Sequence, residues 1–309
     1  MRPSTKTTKT TTPPRMAAKP TTAAAKTGTP AKDAPAPAAN TPAKAGGGAV
    51  AKASDFDYET DSKRFQDNMG RQDLAVPFLA VLQANSPQCM RGHEEHIKDA
   101  EQGMFFNTVT KRLYDGEAGL TFVPVQYWRT YVEWKLREAG GGFIADHGLA
   151  KGEQMLGGTT KDDKGRDILP NGNQLVNTAQ YIALVADAEE DGSVSWSPTI
   201  ISFTSTQLKK SRQMNTLIKG VVRKSSDGKR EIQVPMLAQV YQATTTAESN
   251  DKGSWYGWDI KSAGLLEDQP DGINVYNKAK ALRTMFDQGA VVVDQSKAGD
   301  AGKGEDIPY

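Results

Sequence analysis

The sequence predicts a β-rich α+β core, and three observations lead there. Residues 120–137 alternate between two side-chain sets in the two-residue period of a strand. Four further runs, at 179–186, 194–203, 234–244 and 254–261, are apolar, strand-sized and bounded by turn-forming residues. Only two long stretches, 206–222 and 273–288, carry helical spacing.

Taken in order, residues 1–54 hold nine basic residues and one acid, Asp33, and have no aromatic, Leu or Ile. Thr, Ala, Pro, Lys and Gly dominate the segment. It cannot bury enough apolar surface to offset ordering entropy, so a disordered basic arm is expected. The chain as a whole carries a net charge of +1, which hides this polarity. Residues 55–289 are expected to form the core, with a polar lead-in that turns helical near 62–69. Residues 76–82 are a short apolar run ended by Asn85-Ser86-Pro87, and 88–103 are polar and acidic. Residues 105–109 read as a strand, and Tyr114-Asp115-Gly116 as a turn.

In 120–137 one set is Leu120, Phe122, Trp128, Val132, Trp134 and Leu136. The other is Val123, Val125, Tyr127, Arg129, Tyr131, Glu133, Lys135 and Arg137. A bend near 124–126 divides the run. Gly140-Gly141-Gly142 marks a loop, and 151–173, rich in Gly, Lys, Asp and Asn, reads as a long mobile insertion. Asp191-Gly192 is a hairpin signal between 179–186 and 194–203. Thr204, Ser205 or Thr206 caps the helix at 206–222. Met214, Leu217, Ile218 and Val221 fall on its apolar face and Lys209, Arg212 and Lys219 on the other. Gly289 closes the helix at 273–288. Residues 290–309 form a flexible acidic tail. The architecture favoured by this pattern is an elaborated oligonucleotide-binding (OB-like) barrel with flanking helices and disordered termini. The segment pattern alone equally allows a β-sandwich.

Several function classes lack material. The lone Cys89 excludes an internal disulfide and points to a reducing compartment. No apolar signal core and no membrane-spanning run are present. His93-Glu94-Glu95-His96 does not have the zincin spacing and no third ligand is in view. Asp146-His147 lacks a serine in a nucleophile elbow. No phosphate-cradling glycine loop with Lys-Ser/Thr occurs. The expectation is therefore a non-enzymatic protein without metal or cofactor.

The binding candidates are aromatic and cationic residues on shared faces. Tyr127, Arg129, Tyr131, Lys135 and Arg137 alternate along one strand face. Rings stack on bases, at ~1–3 kcal/mol each, while cations neutralise phosphates, which is the mixture that single-strand binding requires. Trp255 and Lys261 share a face of the strand at 254–261, with Gly253 and Gly257 admitting close approach of a polymer. Lys209, Lys210, Arg212 and Lys219 offer a phosphate-binding helix face, extended by Arg223-Lys224 and Lys229-Arg230. Against these stands the plainer expectation that the charged faces are only solvated and the rings are core.

The chain ends Gly304-Glu305-Asp306-Ile307-Pro308-Tyr309. Acids followed by Ile-Pro-aromatic at the terminus resemble the C-terminal tip of bacterial single-stranded-DNA-binding proteins, with Tyr in place of Phe. The resemblance implies that Glu305, Asp306, Ile307, Pro308 and Tyr309 dock on replication or recombination enzymes. Pro77-Phe78-Leu79 and Lys252-Gly253-Ser254-Trp255-Tyr256-Gly257-Trp258 are also similar to segments of phage proteins. Together they imply a phage-type single-stranded-DNA-binding protein acting in the cytoplasm of an infected host, with single-stranded DNA and repair or replication enzymes as partners. A homo-oligomer is compatible with this, and a membrane partner is not expected. The chain departs from the bacterial family in its longer core, its basic arm and its few tail acids, which puts autoinhibition by the tail in doubt. Two other classes stay open: a virion or nucleoid-associated structural protein using the basic arm on duplex DNA, and a strand-annealing recombination mediator.

Overall fold

A computed structural model of the chain describes residues 76–251 and 253–298. The expectations for the basic arm, the lead-in helix and the tip Glu305–Tyr309 lie outside the described residues. Thirteen strands are described in chain order: β1 (Phe78–Val81), β2 (Phe105–Asn107), β3 (Leu113–Tyr114), β4 (Leu120–Trp134), β5 (Phe143–Asp146), β6 (Thr160–Lys161), β7 (Asp167–Ile168), β8 (Gln174–Ala188), β9 (Val194–Thr204), β10 (Val222–Lys224), β11 (Glu231–Gln233), β12 (Gln239–Asn250) and β13 (Gly253–Leu265). Three helices accompany them: α1 (Gly148–Leu156), α2 (Leu208–Gly220) and α3 (Gly272–Asp287).

Eleven of the strands form one mixed sheet, curled into a half-barrel, in the order β13-β12-β4-β8-β9-β1-β2-β3. β5 extends it beside the second half of β4, and β6–β7 beside β8. β1 and β9 are parallel, and the other pairings are antiparallel. β10 and β11 pair only with each other. The β-rich α+β expectation therefore matches the chain, and the Asp191-Gly192 hairpin joins β8 to β9 with Gly192 at φ 81°.

Both faces of the sheet are buried. On one face Phe105, Phe122, Tyr181, Phe203, Tyr241 and Trp258 pack together, with Met214 and Ile218 of α2. On the other, Val123, Val125, Ile182, Leu184 and Ile200 pack under Val275, Ala279 and Leu282 of α3. β8 lies between the two layers, which is why Tyr181–Val185 reads as an unbroken buried run. The free edge of β13 is not left bare. The Tyr256 N–H donates to Gln83 Oε1 (2.8 Å) and its carbonyl accepts from Gln83 Nε2 (2.9 Å), while the Trp258 N–H donates to Gln207 Oε1 (3.0 Å). Two glutamine amides thus stand in for a neighbouring strand, satisfying backbone groups that would otherwise invite pairing with another chain.

Three sequence expectations need correction. First, 120–134 is one strand with a bulge between Pro124 and Gln126, not two strands. Pro124 has no N–H for a ladder, so a bulge accommodates it in mid-sheet. The extra residue reverses the alternation. Phe122 and Tyr127 share one face, and Val125 and Trp128 share the other, where Trp128 packs on Phe286 with ring centroids 5.0 Å apart. The two side-chain sets read from strict alternation are therefore mixed.

Second, 151–173 is not a loop. It supplies most of α1 and the β6–β7 hairpin. A Cβ at Gly152 would lie 2.2 Å from Tyr131 Cβ, so glycine lets the helix backbone rest on that ring. The polar residues bond one another: Arg166 Nε meets Asp162 at 2.7 Å, and its guanidinium lies 3.5 Å from Glu138.

Third, the described part of the expected tail is packed. Val291 and Val293 join the α3 layer. Gln295, 3 % exposed, exchanges two amide hydrogen bonds with Gln180 (2.8 and 3.0 Å) and donates to Asp146 (3.1 Å). Gly289, at φ 66°, ends α3 as expected.

Candidate nucleic-acid interface

The expected stacking face on β4 is largely enclosed. Tyr127 packs against Tyr181 with ring centroids 4.9 Å apart. Arg129 is half-buried, its Nη2 donating to Asn177 Oδ1 at 2.9 Å. Tyr131 is 3 % exposed, covered by α1 together with Leu169, Leu175 and Met155. Lys135 and Arg137 are exposed just past the strand end. The face therefore divides into a covered aromatic part and a free cationic end. No aromatic side chain among the described residues is fully exposed.

Trp255 is also buried, at 8 % exposure. Its indole N–H donates to Glu248 Oε2 at 3.0 Å. The same oxygen accepts from Gln207 Nε2 at 2.9 Å, and Lys209 Nζ lies 4.0 Å from it. Lys210 Nζ reaches the other oxygen at 3.0 Å. Burial works against ionisation of Glu248, but the bonds from Lys210, Gln207 and Trp255 hold its carboxyl below the ordinary glutamate range. Three of the residues expected to bind DNA, Lys209, Lys210 and Trp255, thus converge on one internal carboxylate. Lys261, further along β13, pairs instead with Asp259 at 3.1 Å.

The expected cations of the helix and the turn after it form one basic strip, in which five of the eight are unpaired among the described residues. Residues 208–233, comprising α2, β10 and β11, contain eight basic residues and two acids. Elsewhere among the described residues, acids outnumber bases. On α2, Lys209, Arg212 and Lys219 are exposed opposite the buried Ser211, Met214 and Ile218. The β10–β11 hairpin follows, and its root is fixed to the helix: Val234 N donates to Val221 O (2.9 Å), and the buried Gln239 amide donates to Ile218 O (3.1 Å) and Val234 O (2.9 Å). Arg223 pairs with Glu267 at 2.7 Å. Arg212, Lys219, Lys224, Lys229 and Arg230 are exposed and have no ion-pair partner among the described residues. The hairpin was not foreseen as strands, although Asp227-Gly228 between two short β-prone runs is its signal.

A second polar cluster escaped the sequence reading. Glu133, 5 % exposed, accepts from Asn173 Nδ2 (2.6 Å), Asn171 Nδ2 (2.9 Å) and His147 Nε2 (2.7 Å). Since an ionised carboxylate only accepts, the His147 proton sits on Nε2. Burial raises the Glu133 carboxyl and the three donors lower it, with a net position below its usual value of 4.5. All of its partners lie in or beside the segment expected to be a loop, so strand periodicity could not place them. Among the described residues no group of three His, Cys, Asp or Glu is placed to hold a metal ion.

Residues 44–292 match the model of a protein family described as Pam3 phage gp34-like protein. The chain belongs to the Pam3 phage gp34-like family. No curated protein and no solved structure matches it. The family match takes in every strand and helix described above, including the basic strip and both polar clusters, and ends before the Ile307-Pro308-Tyr309 tip. Membership thus associates the chain with phages but carries no statement about the tip. No described helix of this family member is long and apolar enough to cross a membrane.

Proposed function

We propose that the chain is a phage single-stranded-DNA-binding protein. In this reading an elaborated OB-like half-barrel coats DNA during replication, recombination or repair in the host cytoplasm. The observation that carries it is the strip at 208–233, where cations gather on a domain otherwise richer in acids. Such a strip attracts a phosphate backbone whatever the base sequence, which suits a coating protein. With Tyr131 and Trp255 buried, phosphate contacts take the larger share and stacking the smaller. The tip adds recruitment of replication or recombination enzymes. Deleting Asp306–Tyr309 is expected to leave DNA affinity within twofold and to abolish capture of a replication enzyme in a pull-down. Equal capture by the shortened chain would remove the docking role.

One observation favours a second reading, the virion or nucleoid-associated protein. The absence of a fully exposed ring among the described residues takes away the main source of single-strand preference. Fluorescence anisotropy of the full chain with labelled oligo-dT and a matched duplex, across a salt series, separates the two. Preference for the single strand that persists at moderate salt supports coating. Equal or duplex-favouring affinity that collapses with salt supports the second reading.

A further inference from the structure

Glu248 sits where a phosphate would be expected. Its two oxygens collect the Trp255 indole N–H, the Gln207 amide N–H and the Lys210 ammonium at 2.9–3.0 Å, with the Lys209 ammonium 4.0 Å away. Two cations and two neutral donors therefore surround a single negative charge, which leaves the group with a positive excess. The donor set is one that binds phosphate oxygens as readily as carboxylate oxygens. The site also adjoins the basic strip, because Lys209 and Lys210 belong to the first turn of α2, whose exposed side continues with Arg212 and Lys219. Glu248 itself lies near the end of the β12–β13 hairpin, and its neighbours Ala247, Ser249, Asn250 and Asp251 are all exposed. Its side chain, 14 % exposed, reaches solvent at this end of the hairpin.

We propose that Lys209, Lys210, Gln207 and Trp255 form a phosphate-binding site that the Glu248 carboxylate occupies until a nucleic-acid phosphate displaces it. The inference rests on the DNA-binding reading for its ligand, and on geometry alone for its anion site. Exchange of one anion for another keeps the buried donors satisfied in both states, so neither state leaves an unpaired polar group. It also makes binding competitive. An isolated phosphate displaces Glu248 only at high concentration, whereas a polymer already on the strip does so at low concentration by proximity. A purely structural Glu248, holding α2 against β13, would behave differently: its neutralisation would loosen the domain and yield no gain in affinity.

The test uses the full chain and two readouts. The first is affinity for labelled oligo-dT, comparing Glu248→Gln with Glu231→Gln, an acid on the same strip outside the site. Gln keeps the shape at position 248 and an oxygen for Trp255. Glu248→Gln is expected to tighten binding about tenfold, and Glu231→Gln about twofold or less. The second is a titration of the wild-type chain with inorganic phosphate against chloride at equal ionic strength, following the indole N–H resonances of the five tryptophans, with Trp255 assigned by Trp255→Phe. The Trp255 resonance is expected to move saturably while the others stay. Equal affinity gains in the two Glu→Gln variants, with an unmoved Trp255 resonance, would overturn the site while leaving the DNA-binding reading standing. A saturable Trp255 shift in a protein that binds no DNA would support the anion site and sink the DNA-binding reading. If Glu248→Gln fails to fold, the phosphate titration of the wild-type chain decides alone.

Discussion

Replacing Arg212, Lys219, Lys229 and Arg230 together by Gln is expected to weaken oligo-dT binding on the order of 100-fold at low salt. The salt slope should fall by about 3, since each phosphate contact on a single strand contributes roughly 0.7. These four side chains are exposed and lack ion-pair partners among the described residues, so the folded domain loses no contact with them. Thermal stability should therefore stay within about 0.5 kcal/mol per substitution, the range typical of free surface positions. The comparison of affinity with melting temperature separates a lost interface from a lost fold. An unchanged affinity in a stable quadruple variant would place the DNA elsewhere, either on the Lys135 and Arg137 end of β4 or on the basic arm.

Glu133→Ala is expected to be the most damaging single change described here. It removes the acceptor of three donors, Asn171, Asn173 and His147, in a site with almost no access to water. A buried charged hydrogen-bond network broken from one side costs about 3–5 kcal/mol. For a domain of this size that is a fall of roughly 10 °C in melting temperature. The effect has a pH signature. The folded-state pKa of Glu133 lies below its usual 4.5, so its contribution is complete above that value. It disappears as the pH falls through the lower, folded-state value. The stability difference between wild type and Glu133→Gln, measured by thermal melts, should accordingly shrink below about pH 4. A difference that is constant through the acid range would mean that the donors act without the charge.

The contrast between these two sites shows what the sequence made legible. The alternation of 120–137, the Asp191-Gly192 turn and the helices ending near Gly220 and Gly289 are local signals, and each element formed at its expected place within a few residues. The curl of the sheet is not local. Nor is the cover of its β13 edge, where Gln83 and Gln207 bond the backbone of residues 173 and 51 positions away in the chain. Nothing in their neighbourhoods marks them. The faces of β4 were misassigned for a specific reason: the bulge at Pro124 inserts one residue and reverses every later side chain, a shift that period-two counting propagates as an error.

The candidate site was readable to the same degree. Cations on an amphipathic helix were identifiable as exposed, because Met214 and Ile218 mark the opposite, buried face, although Leu217, expected on that face, is 36 % exposed. Aromatic residues were not separable in this way. On their strand faces Tyr131 stands between Arg129 and Glu133 and Trp255 between Gly253 and Gly257, as exposed rings would, yet both lie beneath covering segments. Gly152 of α1 rests on the first, and Glu248 and Gln207 close over the second. An alternating strand has one face for the core and one for solvent only if no later segment folds over it. The composition of 151–173 gave no sign that it would, because its polar residues are used on one another and on Glu133.

In the proposed reading, DNA lies along 208–233. Formaldehyde cross-linking of the full-length chain to oligo-dT, followed by peptide mapping, tests it directly, since the strip's lysines provide reactive amines. Adducts are expected at Lys219, Lys224 and Lys229, suppressed by excess unlabelled oligo-dT, with a further adduct at Lys209 or Lys210 that grows in the Glu248→Gln variant. Adducts confined to the lysines of residues 1–54, with 208–233 unmodified, would contradict it.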